Sequence, residues 1–439
     1  MKMRTAAAVV LSLLISLLFC GCELFTVDTA ELLNTPKLSG DSSPIAEAIA
    51  ASAGGEYTLK YPSKGNYRSA VVQNDINSDG LLEAFAFYSI TENETATMVL
   101  DVICNKDGKW SSAAQQKIVA GGVDKIEFCD LDNDGIEEIL VGWEIYGASE
   151  MQLAVYSFTD GKITQRMLQK YSHFVCCDLE DDGKNEVFLI MLNSAEQINT
   201  ASVYELTDSG VNELYSCELD PTVRIVNEPV VSHLSSGRPA VYIDEVKGVG
   251  AVTEVLFIEK NRLVNPLLNL ESRETLATLR SVSLSVQDIN GDDIIEIPVQ
   301  ENVPSVTKSE VNEKLYLTNW CSYNGETLTS QMTTMVNIND GYYYIISSKR
   351  AGQIAIYKDT DSHVREIYKY DNETSSTGEL LISFKTVKKS DWDIGKYKDG
   401  GFIEITHDDV SSHICRISDT AAEEGLTIEE VRRNFKLLE

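Results

Sequence analysis

Four nine-residue segments carry oxygen-bearing side chains at matching offsets. They read Asp75-Ile-Asn-Ser-Asp-Gly-Leu-Leu-Glu83, Asp130-Leu-Asp-Asn-Asp-Gly-Ile-Glu-Glu138, Asp178-Leu-Glu-Asp-Asp-Gly-Lys-Asn-Glu186 and Asp288-Ile-Asn-Gly-Asp-Asp-Ile-Ile-Glu296. Acids or amides at positions one, three and five of a tight loop point towards one centre. A glycine at position six permits the turn, the carbonyl at seven faces inward, and the acid at nine can close the shell. Such a cage suits Ca²⁺, which takes about 6–8 oxygen ligands in loose geometry. Mg²⁺ demands a tighter octahedron, and zinc wants His or Cys, which these segments lack. An EF-hand begins the same way but needs a Glu at position twelve and a helix on either side. Position twelve here is Ala86, Val141, Leu189 and Val299, and strand-like runs follow each loop. The competing reading is a set of turns whose acids cap loop amides without a metal.

The spacing shows what positions these loops. A fifth segment, Ser232-His-Leu-Ser-Ser-Gly-Arg-Pro-Ala240, falls in step with the others but lacks the acids. First positions at 75, 130, 178, 232 and 288 recur roughly every fifty residues, and each segment runs into an apolar strand-like stretch. Short runs rich in Val, Ile, Tyr and Phe, such as Glu83–Ser89, Glu138–Trp143, Val187–Leu192 and Glu254–Ile258, predict an all-β region. A period of this size with several strands per unit predicts the blades of a β-propeller over 57–314. Ser43-Pro44 predicts the start of a short helix closed by Gly54-Gly55, within a tether spanning 22–56.

The D-x-[DN]-x-D-G-x-x-E loops resemble the FG-GAP/VCBS repeats of integrin alpha-chain propellers and many exported bacterial proteins. The resemblance covers about residues 57–305. It implies Ca²⁺ held by side chains at positions one, three, five and nine and by the carbonyl at seven. Carried over by position, the ligands are Asp75, Asn77, Asp79, Leu81 and Glu83, then Asp130, Asp132, Asp134, Ile136 and Glu138. The third and fourth sets are Asp178, Glu180, Asp182, Lys184 and Glu186, and Asp288, Asn290, Asp292, Ile294 and Glu296. Position nine is Glu where the family often has Asp, Glu180 stands for Asp or Asn, and Asp293 stands for glycine. Those last two departures make the third and fourth sites the weaker expectations.

Residues 315–439 keep the β texture, as a separate C-terminal domain or as divergent blades six and seven marked by Asp340-Gly341 and Asp399-Gly400. A terminal α-helix is expected from the capping pair Thr427 and Glu430 and the staple Leu426 with Val431. At the other end, Lys2 and Arg4 precede the apolar stretch 6–19, which is short for a membrane span and reads as a signal segment over 1–21. Gly21-Cys22 resembles a bacterial lipobox, which implies a lipid on Cys22 and an extracytoplasmic protein anchored to the outer face of the cytoplasmic membrane. Phe19 departs from the leucine that pattern prefers.

With 37 basic against 68 acidic residues, no basic stripe is available for nucleic acid. Besides Cys20 and Cys22 there are seven cysteines, an odd number without a CxxC, which predicts free thiols. The five histidines form no metal or triad motif, and His407-Asp408-Asp409 reads as a surface turn. The expected function is therefore a non-enzymatic binding or scaffold protein with Ca²⁺-stabilised loops and an unknown protein or glycan ligand. A propeller-type carbohydrate-active enzyme and a structural subunit of an envelope complex are the alternatives.

Overall fold

The computed structural model describes residues 43–92, 95–147, 151–193, 195–306 and 314–438. The expected signal segment, Cys22 and the tether up to residue 42 lie outside them. Among the described residues the chain is all-β, gathered into six sheets of four or five strands and one two-stranded ribbon. The first sheet holds Thr58–Leu59, Val71–Asn74, Glu83–Glu92, Thr95–Lys106 and Lys109–Ile118. Gly122–Cys129, Glu138–Glu144, Met151–Thr159 and Lys162–Tyr171 form the second, and His173–Cys177, Glu186–Asn193, Ile198–Thr207 and Gly210–Leu219 the third. The fourth comprises Ile225–Val226, Val230–His233, Pro239–Lys247, Gly250–Ile258 and Leu263–Val264. In the fifth, Ile297–Val303, Leu315–Tyr323, Leu328–Asn337 and Tyr342–Ile346 are joined by Phe435–Leu437. The sixth takes Ile354–Asp359, Val364–Asp371, Ser376–Lys388, Ile403–His407 and Ser411–Ile417.

The chain separates into two compact units. The first runs to Glu127 and adds Ile139–Ser149 and Tyr156–Thr164; the second holds Phe128–Glu138, Glu150–Val155 and everything from Gln165. In the first unit, helix α1 (Ser43–Ala53) lays Ile45, Ala48 and Ile49 over Ala84, Ala86, Tyr88, Val99 and Ile103. Gly54 closes the helix at φ 67°, a conformation glycine reaches without steric cost. Below the helix, fully buried Asp101 accepts from Ser52 Oγ at 2.5 Å, Ser112 Oγ at 2.6 Å, Tyr88 Oη at 3.0 Å and Gln115 Nε2 at 3.1 Å.

In the second unit successive sheets stack face to face. Phe188, Ile190, Ala201 and Val203 of the third meet Val241, Ile243, Val252 and Leu256 of the fourth. Tyr242, Val255 and Phe257 on the other face of the fourth meet Ile297 and Tyr323 of the fifth. Tyr342, Tyr344 and Ile346 then pack on Ile354, Ile367 and Phe384 of the sixth. A strand covered on both faces reads as a continuous apolar run, which is why Glu186–Asn193 is buried over its first five residues. Each of the first three sheets ends on a polar strand instead, such as Lys162–Tyr171, with most side chains exposed.

Two expectations need correction. The boundary at 314/315 falls inside the fifth sheet, because Ile297–Val303 pairs antiparallel with Leu315–Tyr323. The described chain does not end on the helix. Thr427 does cap α4 (Ile428–Asn434), the last of four α-helices among the described residues after α2 (Lys389–Asp393) and α3 (Asp419–Glu423), accepting from Glu430 N–H at 3.2 Å. Phe435–Leu437 then continues as an edge strand beside Tyr342–Tyr344. Asp340-Gly341 and Asp399-Gly400, which lack the surrounding acidic positions in the sequence, each lie in a 3₁₀ turn closed by a left-handed glycine.

Candidate metal centre

The loops at 75, 130 and 178 each join a strand to its antiparallel neighbour, and the loop at 288 runs from an isolated bridge at Gln287 into Ile297–Val303. Asn74 pairs with Glu83, Cys177 with Glu186 and Gln287 with Glu296, so these loops bridge equal distances along the chain. The segment at 232–240 differs. There His233 pairs with Pro239, which makes the connection three residues shorter. Its apparent nine-position match is therefore a coincidence of spacing: Ser232 and Ala240 lie within the paired strands, not in the loop. A backbone turn suffices, with Leu234 N–H donating to Arg238 O at 2.8 Å and Gly237 N–H to Leu234 O at 2.8 Å. The three extra residues of the other loops are what make room for the acids.

Those four loops share one hydrogen-bond pattern. The position-one carboxylate accepts from the amides of positions five and six: Asp79 and Gly80 on Asp75 at 3.1 and 2.9 Å, Asp134 and Gly135 on Asp130 at 3.2 and 2.9 Å. Asp182 and Gly183 do the same on Asp178 at 3.1 and 2.8 Å, and Asp292 and Asp293 on Asp288 at 3.1 and 2.8 Å. The position-five acid takes the amide of position seven, as Ile136 N–H does to Asp134 at 2.8 Å. The position-nine Glu accepts from position two, with Leu179 N–H reaching Glu186 Oε2 at 2.8 Å. Positions four and six are left-handed throughout. Ser78, Asn133 and Asp181 precede Gly80, Gly135 and Gly183, whereas the last loop puts glycine first, at Gly291, and Asp293 second. Asp293 at φ 66° therefore preserves the turn, because Asp tolerates this region better than most side chains.

Two loops bring three carboxylates together. In one, oxygens of Asp130, Asp132 and Glu138 lie within 4.8 Å of one another; in the other, those of Asp178, Asp182 and Glu186 do. Neither cluster holds every acid expected from the sequence: the first lacks Asp134 and the second lacks Glu180. Glu180 turns away to accept from Tyr215 Oη at 2.9 Å, and Asp182 takes its place beside Asp178. In the loops at 75 and 288 the position-three amide is tied down instead. Asn77 Nδ2 donates to Asp79 Oδ2 and Asn290 Nδ2 to Asp292 Oδ2, both at 3.1 Å. Asn290 also bonds Glu296 Oε1 at 3.1 Å. Among the described residues the loop at 178 brings three carboxylates together and the loop at 75 does not. At position seven, Leu81, Lys184 and Ile294 use their N–H groups as Ile136 does, on Asp79, Asp182 and Asp292.

The electrostatics follow from burial. Glu83, Glu138, Glu186 and Glu296 are all buried, while the position-one acids are half-buried and positions three and five are exposed. Desolvation pushes Glu186 up to about 7, with the charges of Glu180, Asp178 and Asp182 adding to it. Glu296 rises to about 7 for the same reason, then through Asp292 and Asp288, and Glu83 is also raised. Asp132 is raised by partial desolvation, then by Asp134 and Asp130. Asp288 moves the other way, held low by the amides of Asp293, Gly291 and Asp292. Carboxylates that resist ionising beside one another have the donor set a hard cation would satisfy, and no His or Cys stands among them.

Other candidates are structural. The seven described cysteines are free. Trp143, Trp320, Tyr323 and Tyr342 are buried, whereas Tyr146 is exposed. Asp408 accepts from Val410 and Ser411 N–H in the hairpin after Ile403–His407, so His407-Asp408-Asp409 is a turn. Sequence reasoning missed a buried charged cluster around Asp220, Asp244, Glu245 and Glu254. Its only local signal is acids inside otherwise apolar strands.

Fold and site together define an all-β protein with acidic inter-strand loops that could hold a metal ion. No family model matches the chain, and no curated protein does. Similar solved structures include the rhamnogalacturonan lyase YesW, 14% identical over 74% of this chain and 83% of that one, with a TM-score of 0.32. A Bacillus licheniformis rhamnogalacturonan lyase is 13% identical over 74% and 84%, with a TM-score of 0.32. An exo-β-1,3-galactanase from Phanerochaete chrysosporium is 10% identical over 76% and 71%, with a TM-score of 0.25. Similarity at this level assigns neither topology nor activity.

Proposed function

We propose that this chain is a non-enzymatic binding or scaffold protein whose acidic loops hold structural Ca²⁺ and whose stacked sheets are the blades of a propeller. The observation that carries the reading is the convergence of three carboxylates in each of two loops, Asp130, Asp132 and Glu138, and Asp178, Asp182 and Glu186. An ion at such a loop would tie the start of one strand to the end of the previous one. It would also offset the burial, and the added repulsion of neighbouring acids, that lift the Glu186 carboxyl to about 7. Oxygen donors alone favour Ca²⁺ over zinc, and a flexible loop favours it over Mg²⁺. A structural ion with a filled shell leaves no open position for substrate.

Lipid on Cys22 and display outside the cytoplasmic membrane complete the proposal, with a protein or glycan as the ligand. Among the described residues no helix is long and apolar enough to cross a membrane. The test is a glycan array read for both binding and turnover, combined with pull-down from solubilised membranes and run with Ca²⁺ and with chelator. Binding without turnover that weakens on chelation supports the reading, and turnover of any arrayed glycan overturns its non-enzymatic part. Labelling with a fatty-acid analogue, lost in Cys22→Ala, checks the anchor.

A further inference from the structure

A second group of acids in the second unit lies inside the protein. Asp220 follows the strand Gly210–Leu219, Asp244, Glu245 and Lys247 belong to Pro239–Lys247, and Glu254 lies on Gly250–Ile258. Two cations serve this group, one on Asp220 and one on Asp244. Lys247 Nζ is 2.7 Å from Asp220 Oδ2 and 2.8 Å from Glu274 Oε2. Arg280 Nη2 is 2.8 Å from Asp244 Oδ1 on the opposite face of the strand. Glu245 and Glu254 are left without a cation, at 1% and 0% exposure.

The two glutamates share one face of the fourth sheet, because Glu245 pairs with Val252 and Ile243 with Glu254. Glu254 is well supplied with donors. It accepts from Thr275 Oγ1 at 2.7 Å, Asn265 Nδ2 at 2.8 Å and Asp220 N–H at 3.2 Å. Neither oxygen of Glu245 receives a donor from any described residue. The polar group it meets is the carboxyl of Glu254, which as an ionised group can only accept. Two buried carboxylates in contact repel, whereas one proton between them makes a charge-assisted O–H···O⁻ hydrogen bond.

We propose that Glu245 is kept as the neutral acid and donates its proton to Glu254, so that the pair forms a buried, pH-sensitive lock between two adjacent strands of the fourth sheet, on its face towards the third. The surroundings support the proton. Desolvation and the charges of Glu254, Asp220 and Asp244 all push the Glu245 carboxyl upward, and Glu254 is raised by its own burial. From the third sheet the titratable neighbour of Glu254 is Cys217, itself pushed up to about 12 by burial. Lys247 spends its charge on Asp220 and Glu274. Ionising Glu245 would set it against Glu254, and Glu254 holds both Asn265 and Thr275 of the segment leading towards the fifth sheet. The lock therefore holds at neutral pH and loosens as alkali removes the proton.

Glu245→Gln tests this, since the amide still donates to Glu254 but does not ionise. Wild type should lose melting temperature reversibly as pH rises from neutral into the alkaline range. Glu245→Gln should stay flatter over that range and melt no lower than wild type at neutral pH. Infrared spectra of the wild type provide a reading that needs no variant to fold: a protonated-carboxyl stretch should persist under mildly alkaline conditions with Ca²⁺ present. That band should be missing from Glu245→Gln. Absence of the band from wild type overturns the proposal. So does a Glu245→Gln protein that melts lower at neutral pH while wild type responds to chelator at this site, which would mean a cation, not a proton, joins the pair.

Discussion

Replacing Glu186 with Gln separates the cost of an empty acidic loop from the benefit of a filled one. The Gln carbonyl can still accept from Leu179 N–H, which Glu186 Oε2 now holds at 2.8 Å. What is lost is the charge. Burial and three neighbouring acids lift the Glu186 carboxyl from 4.5 to about 7. A group whose folded pKa is raised adds stability that is complete below its unfolded value and is lost as pH climbs through the folded one. The window is thus from about 4.5 to 7, and at about 1.4 kcal/mol per pH unit the ionised carboxylate costs at most roughly 3.5 kcal/mol. Local relaxation and water access reduce this to about 1–3 kcal/mol. Metal-free Glu186→Gln should therefore melt above wild type at about pH 8, by on the order of 2–6 °C, and match it at about pH 4. In saturating Ca²⁺ the order should reverse, because the variant has lost a charged ligand. Scanning calorimetry at both pH values, with chelator and with Ca²⁺, reads all four conditions. A metal-free variant less stable than wild type at alkaline pH would refute the argument that this carboxylate is strained when empty.

The other predictions follow from particular contacts. Glu180→Ala should leave Ca²⁺ stoichiometry by titration calorimetry unchanged, because Glu180 bonds Tyr215 instead of joining Asp178, Asp182 and Glu186. Gly291→Ala should lower stability by about 1 kcal/mol in denaturant unfolding, since Gly291 sits at φ 81° with open space around it and only the backbone objects. Asp101→Ala should cost about 2–4 kcal/mol in the same assay, because Ser52, Tyr88, Ser112 and Gln115 would lose their common acceptor beneath helix α1.

The inner strands were legible because burial on both faces writes them as apolar runs, as in Glu138–Glu144. Their outer neighbours Lys109–Ile118, Lys162–Tyr171 and Gly210–Leu219 were not, since an edge strand facing solvent has no hydrophobic period to read. The acidic loops stood out through spacing alone, but spacing does not fix side-chain direction. Glu180 has one methylene more than Asp and a tyrosine in reach, so it leaves the cluster its position implies. In the same way, the segment at 232–240 kept the repeat interval while its strand register shortened the loop by three residues. The Glu245–Glu254 contact comes from sheet register between strands, which no local pattern displays.

Ca²⁺ titration into chelator-stripped protein, followed by calorimetry and melting, tests the central claim most directly. The account predicts uptake by the loops at 130 and 178, a melting temperature that rises with Ca²⁺ and responds less to Mg²⁺, and a stoichiometry that falls by one in Asp132→Ala and again in Asp182→Ala. A ligand that binds only the folded state adds roughly 2.7 kcal/mol per site at a hundredfold excess over Kd, well within reach of the measurement. No heat and no melting shift at millimolar Ca²⁺ would mean that the acids serve only to cap loop amides, and the metal would have to be abandoned.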